Sequence, residues 1–225
     1  MLNLKAMTVM IDSVAVVHEI SLKIEPGSLI MIQGKNGSGK SSLLNALAGH
    51  PFYNLSGSEF IYNDVSLLES SALERSQAGL FLIMQHPPAL PGVRVSTFLQ
   101  ESFRALNLTK TLEEYQQRLT FALEFLQLSS DFITKPVHEH FSGGEKKRCE
   151  LLQLMVLQPT LVLLDEVDSG LDSAGIELLI SVIKWYKKII PQAIIIMVTH
   201  SSSLVEKLPQ SFSYIMDQGR LQERS

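Results

Sequence analysis

The run Gly34-Lys35-Asn36-Gly37-Ser38-Gly39-Lys40-Ser41 fits the pattern G-x-x-x-x-G-K-[ST], and those residue types at that spacing suit a polyphosphate. Glycines let successive backbone N–H groups turn inward around the α- and β-phosphates. An apolar run, Leu29 to Ile32, leads in, and a helix-prone run, Ser42 to Ala48, leads out. The loop therefore joins a strand to a helix whose positive N-terminal end points at the same anion. Lys40 would reach the β- and γ-phosphates, and the Ser41 hydroxyl would sit on Mg²⁺. Gly34 to Ser42 is the candidate nucleotide-binding stretch. A glycine-rich turn without a ligand would explain neither the lysine nor the hydroxyl.

Other positions supply what a phosphate-cleaving site would need. The apolar run Leu161 to Leu164 ends in Asp165 and Glu166. Asp165 would hold Mg²⁺ through water, and Glu166, pointing differently, would polarise a hydrolytic water. Gln85 closes the apolar run Leu80 to Met84 and would bind Mg²⁺ or the attacking water. His200 follows the run ending at Val198 and would contact the γ-phosphate and orient that water. Each signal is weak alone, because strands commonly end at surface acids and a lone histidine commonly just makes a hydrogen bond. The segment Phe141-Ser142-Gly143-Gly144-Glu145-Lys146-Lys147-Arg148 is more specific. Ser142 with Glu145 spells a capping box at a helix start. That leaves Gly143 and Gly144 unexplained, since paired glycines weaken a helix. A phosphate that comes very close to this backbone explains all four residues.

The elements that position these groups alternate. Leu2 to Val9, Ala15 to Ile24, Leu29 to Ile32, Ser58 to Tyr62, Leu80 to Met84, Leu161 to Leu164 and Ala193 to Val198 read as strands. Glu25-Pro26-Gly27 is a turn, and Gly49-His50-Pro51 stops the helix after the phosphate loop. A proline-rich connection spans His86 to Gly92. Val95 to Leu128 turns helical: Val95, Phe98, Leu99, Ser102 and Phe103 share one face, and Leu119, Ala122, Leu123 and Leu126 another. Glu145 to Leu157 and Ile176 to Ile190 are further helices. This order predicts a mostly parallel sheet covered on both faces, with ligands at the strand C-termini.

The 225 residues are 45% hydrophobic and 19% charged, ample for a buried core. A net charge of −4, with no long basic block, speaks against nucleic acid or an anionic membrane surface as a main partner. Cys149, the only cysteine, excludes an intrachain disulfide framework and reads as a packing residue. His50, His86, His138 and His140 form no convincing metal constellation, and Lys146-Lys147-Arg148 reads as a solvated helix face or a partner contact. The first ten residues lack the features of a signal peptide, and no apolar run is long enough for a membrane span. A soluble, cytoplasmic protein is expected.

In this order, the phosphate loop, Gln85, the Ser-Gly-Gly-Glu signature, the Asp165-Glu166 strand, Ser169-Gly170-Leu171-Asp172 and His200 resemble the ATP-binding-cassette (ABC) ATPases over essentially the whole chain. The resemblance implies an α/β fold, a P-loop nucleotidase core of ABC type with an antiparallel β subdomain and an inserted helical subdomain. It implies one domain over residues 1–225, with the helical part at about 86–140. ATP and Mg²⁺ would be the cofactors. Two copies would close head to tail, so that Ser142, Gly143 and Gly144 of one reach the γ-phosphate held by the other, with Asp172 communicating across the interface. Within the family the chain is most similar to the SufC family, through Ala48-Gly49-His50-Pro51-Phe52-Tyr53, Pro91-Gly92-Val93, the signature, and Leu164 to Asp172. That likeness implies a Mg²⁺-dependent ATPase subunit of iron–sulfur cluster assembly, acting on SufB- and SufD-like scaffolds docked on Gln85 to about Phe103. The alternatives are the nucleotide-binding subunit of a membrane transporter, or a non-catalytic nucleotide-gated module, against which Lys40, Glu166 and His200 together argue. Two departures from the family are expected to matter little to catalysis. Lys35 replaces a proline and should point outward, and no aromatic residue lies between Val9 and Val17 to stack on adenine, so base recognition should be apolar and loose.

Overall fold

The computed structural model describes residues 1–106, 109–209 and 212–224. The chain opens with β1 (Leu2–Ile11), β2 (Val14–Ile24), β3 (Leu29–Gln33), α1 (Lys40–Leu47), β4 (Asn54–Ser56), β5 (Glu59–Tyr62) and β6 (Val65–Ser66). It continues through α2 (Ala72–Gln77), β7 (Leu80–Ile83), β8 (Leu90–Arg94), α3 (Val95–Leu106), α4 (Leu112–Phe125) and β9 (Pro136–Val137). The remainder is α5 (Gly143–Leu157), β10 (Leu161–Asp165), α6 (Ser173–Ile189), β11 (Ile194–Val198), α7 (Ser202–Lys207), β12 (Phe212–Asp217) and β13 (Arg220–Glu223). Of the stretch expected to be helical, Asn107 and Leu108 lie outside the described residues.

Two large sheets organise these elements. One is antiparallel, in the order β2-β1-β5-β6 with β4 paired to β1; the other runs β13-β12-β3-β11-β10-β7 and is parallel except at β13. Every residue of β10 and β11 is buried, as a parallel sheet covered on both faces requires. The two-residue period of its strands sorts their side chains into separate cores. Ile30, Ile32, Leu161, Leu163, Ile194 and Ile196 pack with α1 and the antiparallel sheet. Leu29, Met31, Val162, Leu164, Ile195 and Met197 pack with α3 to α6. Burying each such side chain contributes about 2 kcal/mol, which anchors the sheet that carries the functional loops.

The expected faces of the helical lobe are real: Val95, Leu99 and Phe103 of α3, and Ala122 and Leu126 at α4, are buried in the same core as α5 and α6. The proline-rich connection differs from expectation. Leu90–Arg94 is a strand, with Leu90 opposite Val137 and Arg94 opposite Pro136. The helix after the phosphate loop begins at Lys40, earlier than expected. Its C-terminal end is held by Arg75, only 4% exposed, whose guanidinium donates to the carbonyls of Ala46 at 2.7 Å and Leu47 at 3.0 Å. A cation there suits the negative end of the helix.

Candidate active site

Parallel pairing brings four strand ends to one edge. Ile32 of β3 stands opposite Val198 of β11, Val198 opposite Asp165 of β10, and Leu164 opposite Ile83 of β7. The phosphate loop, His200, the Asp165-Glu166 pair and Gln85 therefore leave the sheet side by side, though they are far apart in sequence.

The loop is built as an anion cradle. Gly39 caps α1 at φ 104°, with no side-chain cap and no acidic residue in the first turn. By contrast α2, α4 and α5 carry capping boxes, and α6 and α7 are capped by Asp172 and Ser201. An uncapped helix start leaves N–H groups for a ligand. Lys40 is 3% exposed, and its Nζ donates to the carbonyls of Gly34 and Lys35, both at 2.8 Å. Burial pushes its ammonium below the usual lysine range, against the raising effect of Glu166 and Asp165. Lys35 is exposed, as expected. A cleft of about 360 Å³ opens here, lined by Asn36, Gly37, Gly39 to Ser42, Gln85, Glu166 and Val16. Val16 is the apolar group on the side where no aromatic residue was available.

The carboxylates beside the cradle are arranged in two sets. Ser41 Oγ donates to Asp165 Oδ1 at 2.9 Å, and burial raises the Asp165 carboxyl while that hydrogen bond lowers it. Glu166 turns elsewhere, at φ 45°. One of its oxygens accepts from Gln85 Nε2 at 2.6 Å, and the other lies 3.4 Å from His200 Nε2. All the cis candidates, Gly34 to Ser42, Gln85, Asp165, Glu166 and His200, thus sit around one cleft or touch a residue that lines it. Sequence reasoning missed Lys147. Far from lying on a solvated face, it donates to the Gln85 carbonyl at 3.3 Å, and burial lowers its pKa against the pull of Glu150, Asp168, Asp165 and Glu166. Three consecutive cations read as surface, and only the helix's placement against Gln85 shows which one turns inward. Asp168 was also missed; it accepts from Thr199 Oγ1 at 2.8 Å, tying the end of β11 to the loop after β10.

Ser142, Gly143 and Gly144 do not reach this cleft. Ser142 and Glu145 form the capping box of α5, and those hydrogen bonds, with Lys135, pull the Glu145 carboxyl down to about 2. Ser142 and Gly144 instead line a separate cavity of about 700 Å³, with Lys135, Arg148, Gly170 and Asp172. A Cβ added at Gly143 or Gly144 would meet none of the described residues within 4 Å, so no packing among them demands glycine there. Cys149 is fully buried, and burial pushes its thiol up to about 12, which suits packing and not ligation.

The model of the ABC transporter family matches residues 17–169. The chain belongs to that family. As a cassette of this kind it is an ATP hydrolase, and the matched span holds the phosphate loop, Gln85, Ser142 and Asp165-Glu166 but ends before His200. SufC of Plasmodium falciparum, described as an iron–sulfur cluster assembly protein, is 37% identical over 91% of this chain and 60% of its own length. "Probable ATP-dependent transporter ycf16" of Antithamnion sp. is 34% identical over 98% of this chain and 89% of its own. Among solved structures, an ATP-binding cassette described as a dimer in a post-hydrolysis state with ADP and Pi superposes with a TM-score of 0.82 at 19% identity, covering all of both chains. That likeness establishes the fold. No helix among the described residues is long and apolar enough to cross a membrane.

Proposed function

We propose that this ABC protein is the Mg²⁺-dependent ATPase subunit of an iron–sulfur cluster assembly complex, working as one cassette domain over residues 1–225 with a helical lobe at about 86–140. The observation that carries the hydrolytic part is the Glu166 carboxylate, held between Gln85 and His200 beside the phosphate cradle. Gly34 to Ser42 bind the phosphates, Lys40 neutralises charge on the transferring group, and Glu166 accepts a proton from the attacking water that His200 and Gln85 orient. Ser41 and Gln85 would hold Mg²⁺, with Asp165 joining through water. The partly buried hydroxyl–carboxylate pair is the hard oxygen set that this ion takes together with substrate phosphates. Held there, the ion would supply positive charge against the negative phosphate oxygens.

The partner assignment draws on the likeness to SufC and on the segment after Gln85. Pro88 and Ala89, in the connection that follows Gln85, and residues 91–94 of β8 are exposed. Scaffolds of SufB and SufD type docked there would feel Gln85 move as ATP closes two copies. The transporter wording attached to the ycf16 relatives favours a second reading, an ATPase subunit docked on a membrane partner. Purification of the tagged protein from its own cells without detergent separates the two. Soluble proteins resembling SufB and SufD are expected to come with it. Recovery only in detergent, with a multi-span protein, overturns the assembly reading.

A further inference from the structure

The hairpin of β12 and β13 reaches back to the phosphate loop through its turn. The Gly219 N–H donates to the Ser38 carbonyl at 2.9 Å, and the Gly219 carbonyl accepts from the His18 N–H at 2.8 Å. One glycine thereby ties the middle of the loop to β2, the strand that carries Val16 into the cleft. The fit leaves little slack. Gly219 stands at φ 75°, and a Cβ there would lie 2.6 Å from the Val16 carbonyl oxygen and 2.7 Å from His18 Cδ2. Met216, fully buried, closes the other side: a Cβ on Gly34 would collide with its carbonyl oxygen, and one on Gly39 would lie 3.2 Å from its Cε.

A loop that turns its N–H groups toward an anion turns carbonyls away from it, and those need donors of their own. The Gly34 carbonyl takes its donor from the Lys40 ammonium, and the Lys35 carbonyl from that ammonium and from the Ser38 N–H within the loop; Lys40 is the same group that a phosphate would attract. The Ser38 carbonyl takes its donor from the main chain of another element and does not depend on Lys40. We infer that the turn at 217–220, through Gly219 and with Met216 behind it, is a positioning element of the nucleotide site. It holds Ser38 and Gly39 in their phosphate-facing conformation and fixes how far Val16 stands from them. This rests on the nucleotide reading above, and it gives the C-terminal hairpin, beyond the span of the family model, a part in binding.

Equilibrium titration with Mg-ATP and thermal unfolding of the full chain test it, with Gly219→Ala, Met216→Ala and Gly57→Ala compared with the unmodified protein. Gly57 is also crowded, against Met7 and Lys5, but has no part in the loop. Gly219→Ala is expected to weaken ATP binding about tenfold, the scale of one lost hydrogen bond plus strain. Gly57→Ala is expected to lower the Tm and leave the affinity within about twofold. Should Gly219→Ala not fold, Met216→Ala carries the test, with an expected loss of about threefold. Unchanged affinity in both Gly219→Ala and Met216→Ala overturns the inference, and so does an equal loss in Gly57→Ala, since affinity would then follow general stability. An unmodified chain that binds no ATP overturns the nucleotide reading itself.

Discussion

Both oxygens of Glu166 are engaged, one by Gln85 Nε2 at 2.6 Å and the other by His200 Nε2 at 3.4 Å, while Asp165 is engaged with Ser41. Adjacent carboxylates therefore face different partners, the division needed if one serves a metal and the other a water. Glu166→Gln keeps the shape and most hydrogen bonds but cannot accept a proton. Turnover should fall by about 10² to 10³-fold, the usual contribution of a positioned base, with ATP affinity within about threefold. ATP should also be retained on a closed dimer, visible as a nucleotide-dependent shift in size-exclusion chromatography. Single-turnover rates within tenfold of the unmodified protein would remove Glu166 from the role of base.

At the scale of elements, β9 and α5 are joined by a buried polar link. His138, 4% exposed and at φ 56°, places Nδ1 3.0 Å from the Pro88 carbonyl oxygen. Its Nε2 is 3.0 Å from Glu150 Oε1, off the line of a hydrogen bond but close enough for an ion pair. The same oxygen accepts from Gln153 Nε2 at 2.8 Å. Burial works against the imidazolium, yet Glu150 and the Pro88 carbonyl outweigh it, with Lys146 opposing, so the pKa is raised. A raised folded-state pKa stabilises below the ordinary value of about 6.5 and loses that contribution as pH climbs through the folded value. Thermal unfolding at a series of pH values should show stability declining above about pH 6.5. His138→Gln should flatten this trend and cost about 2 kcal/mol at pH 6, the worth of a contact to a charged group; parallel curves for the two proteins would sink the link. None of this was legible in the sequence, where His138 was one of several unassigned histidines. The phosphate loop and the Asp165-Glu166 tip were legible because their chemistry is local, with spacing and flanking strand and helix all within a few residues. The strand Leu90–Arg94 was hidden because two of its residues are Pro91 and Gly92 and its partner, Pro136–Val137, is remote in the chain. The same remoteness hid Lys147 and the hairpin behind the loop, whose roles come from what they touch. Helix α2 was the avoidable omission, since Ser71 and Glu74 spell the capping box that the structure forms.

At the scale of the whole molecule, the phosphate cleft and the signature cavity share no lining residue. Yet Gly143 and Gly144 have open space around them, while the capping box that secures α5 uses Ser142 and Glu145 alone. Each glycine in a helix costs about 0.5 to 1 kcal/mol relative to alanine, and no contact among the described residues offsets it. A second copy, presenting its phosphates to this backbone, would make the glycines necessary, and a two-fold pairing makes the exchange reciprocal. Mixing two disabled proteins tests that geometry. Lys40→Ala should fail to bind nucleotide, and Gly144→Asp should bind it but block the partner's phosphate; each alone should be nearly inactive. A mixed dimer would hold one site with both faults and one with neither. Equal mixing should therefore restore about a quarter of the unmodified ATPase rate, half the dimers being mixed and half their sites intact. Binding of ATP by Gly144→Asp at unmodified affinity would show that its own cleft is sound. Full inactivity after mixing, with both variants folded and dimeric, would mean that signature and phosphate loop of one chain serve the same site, and the two-copy arrangement would have to be abandoned.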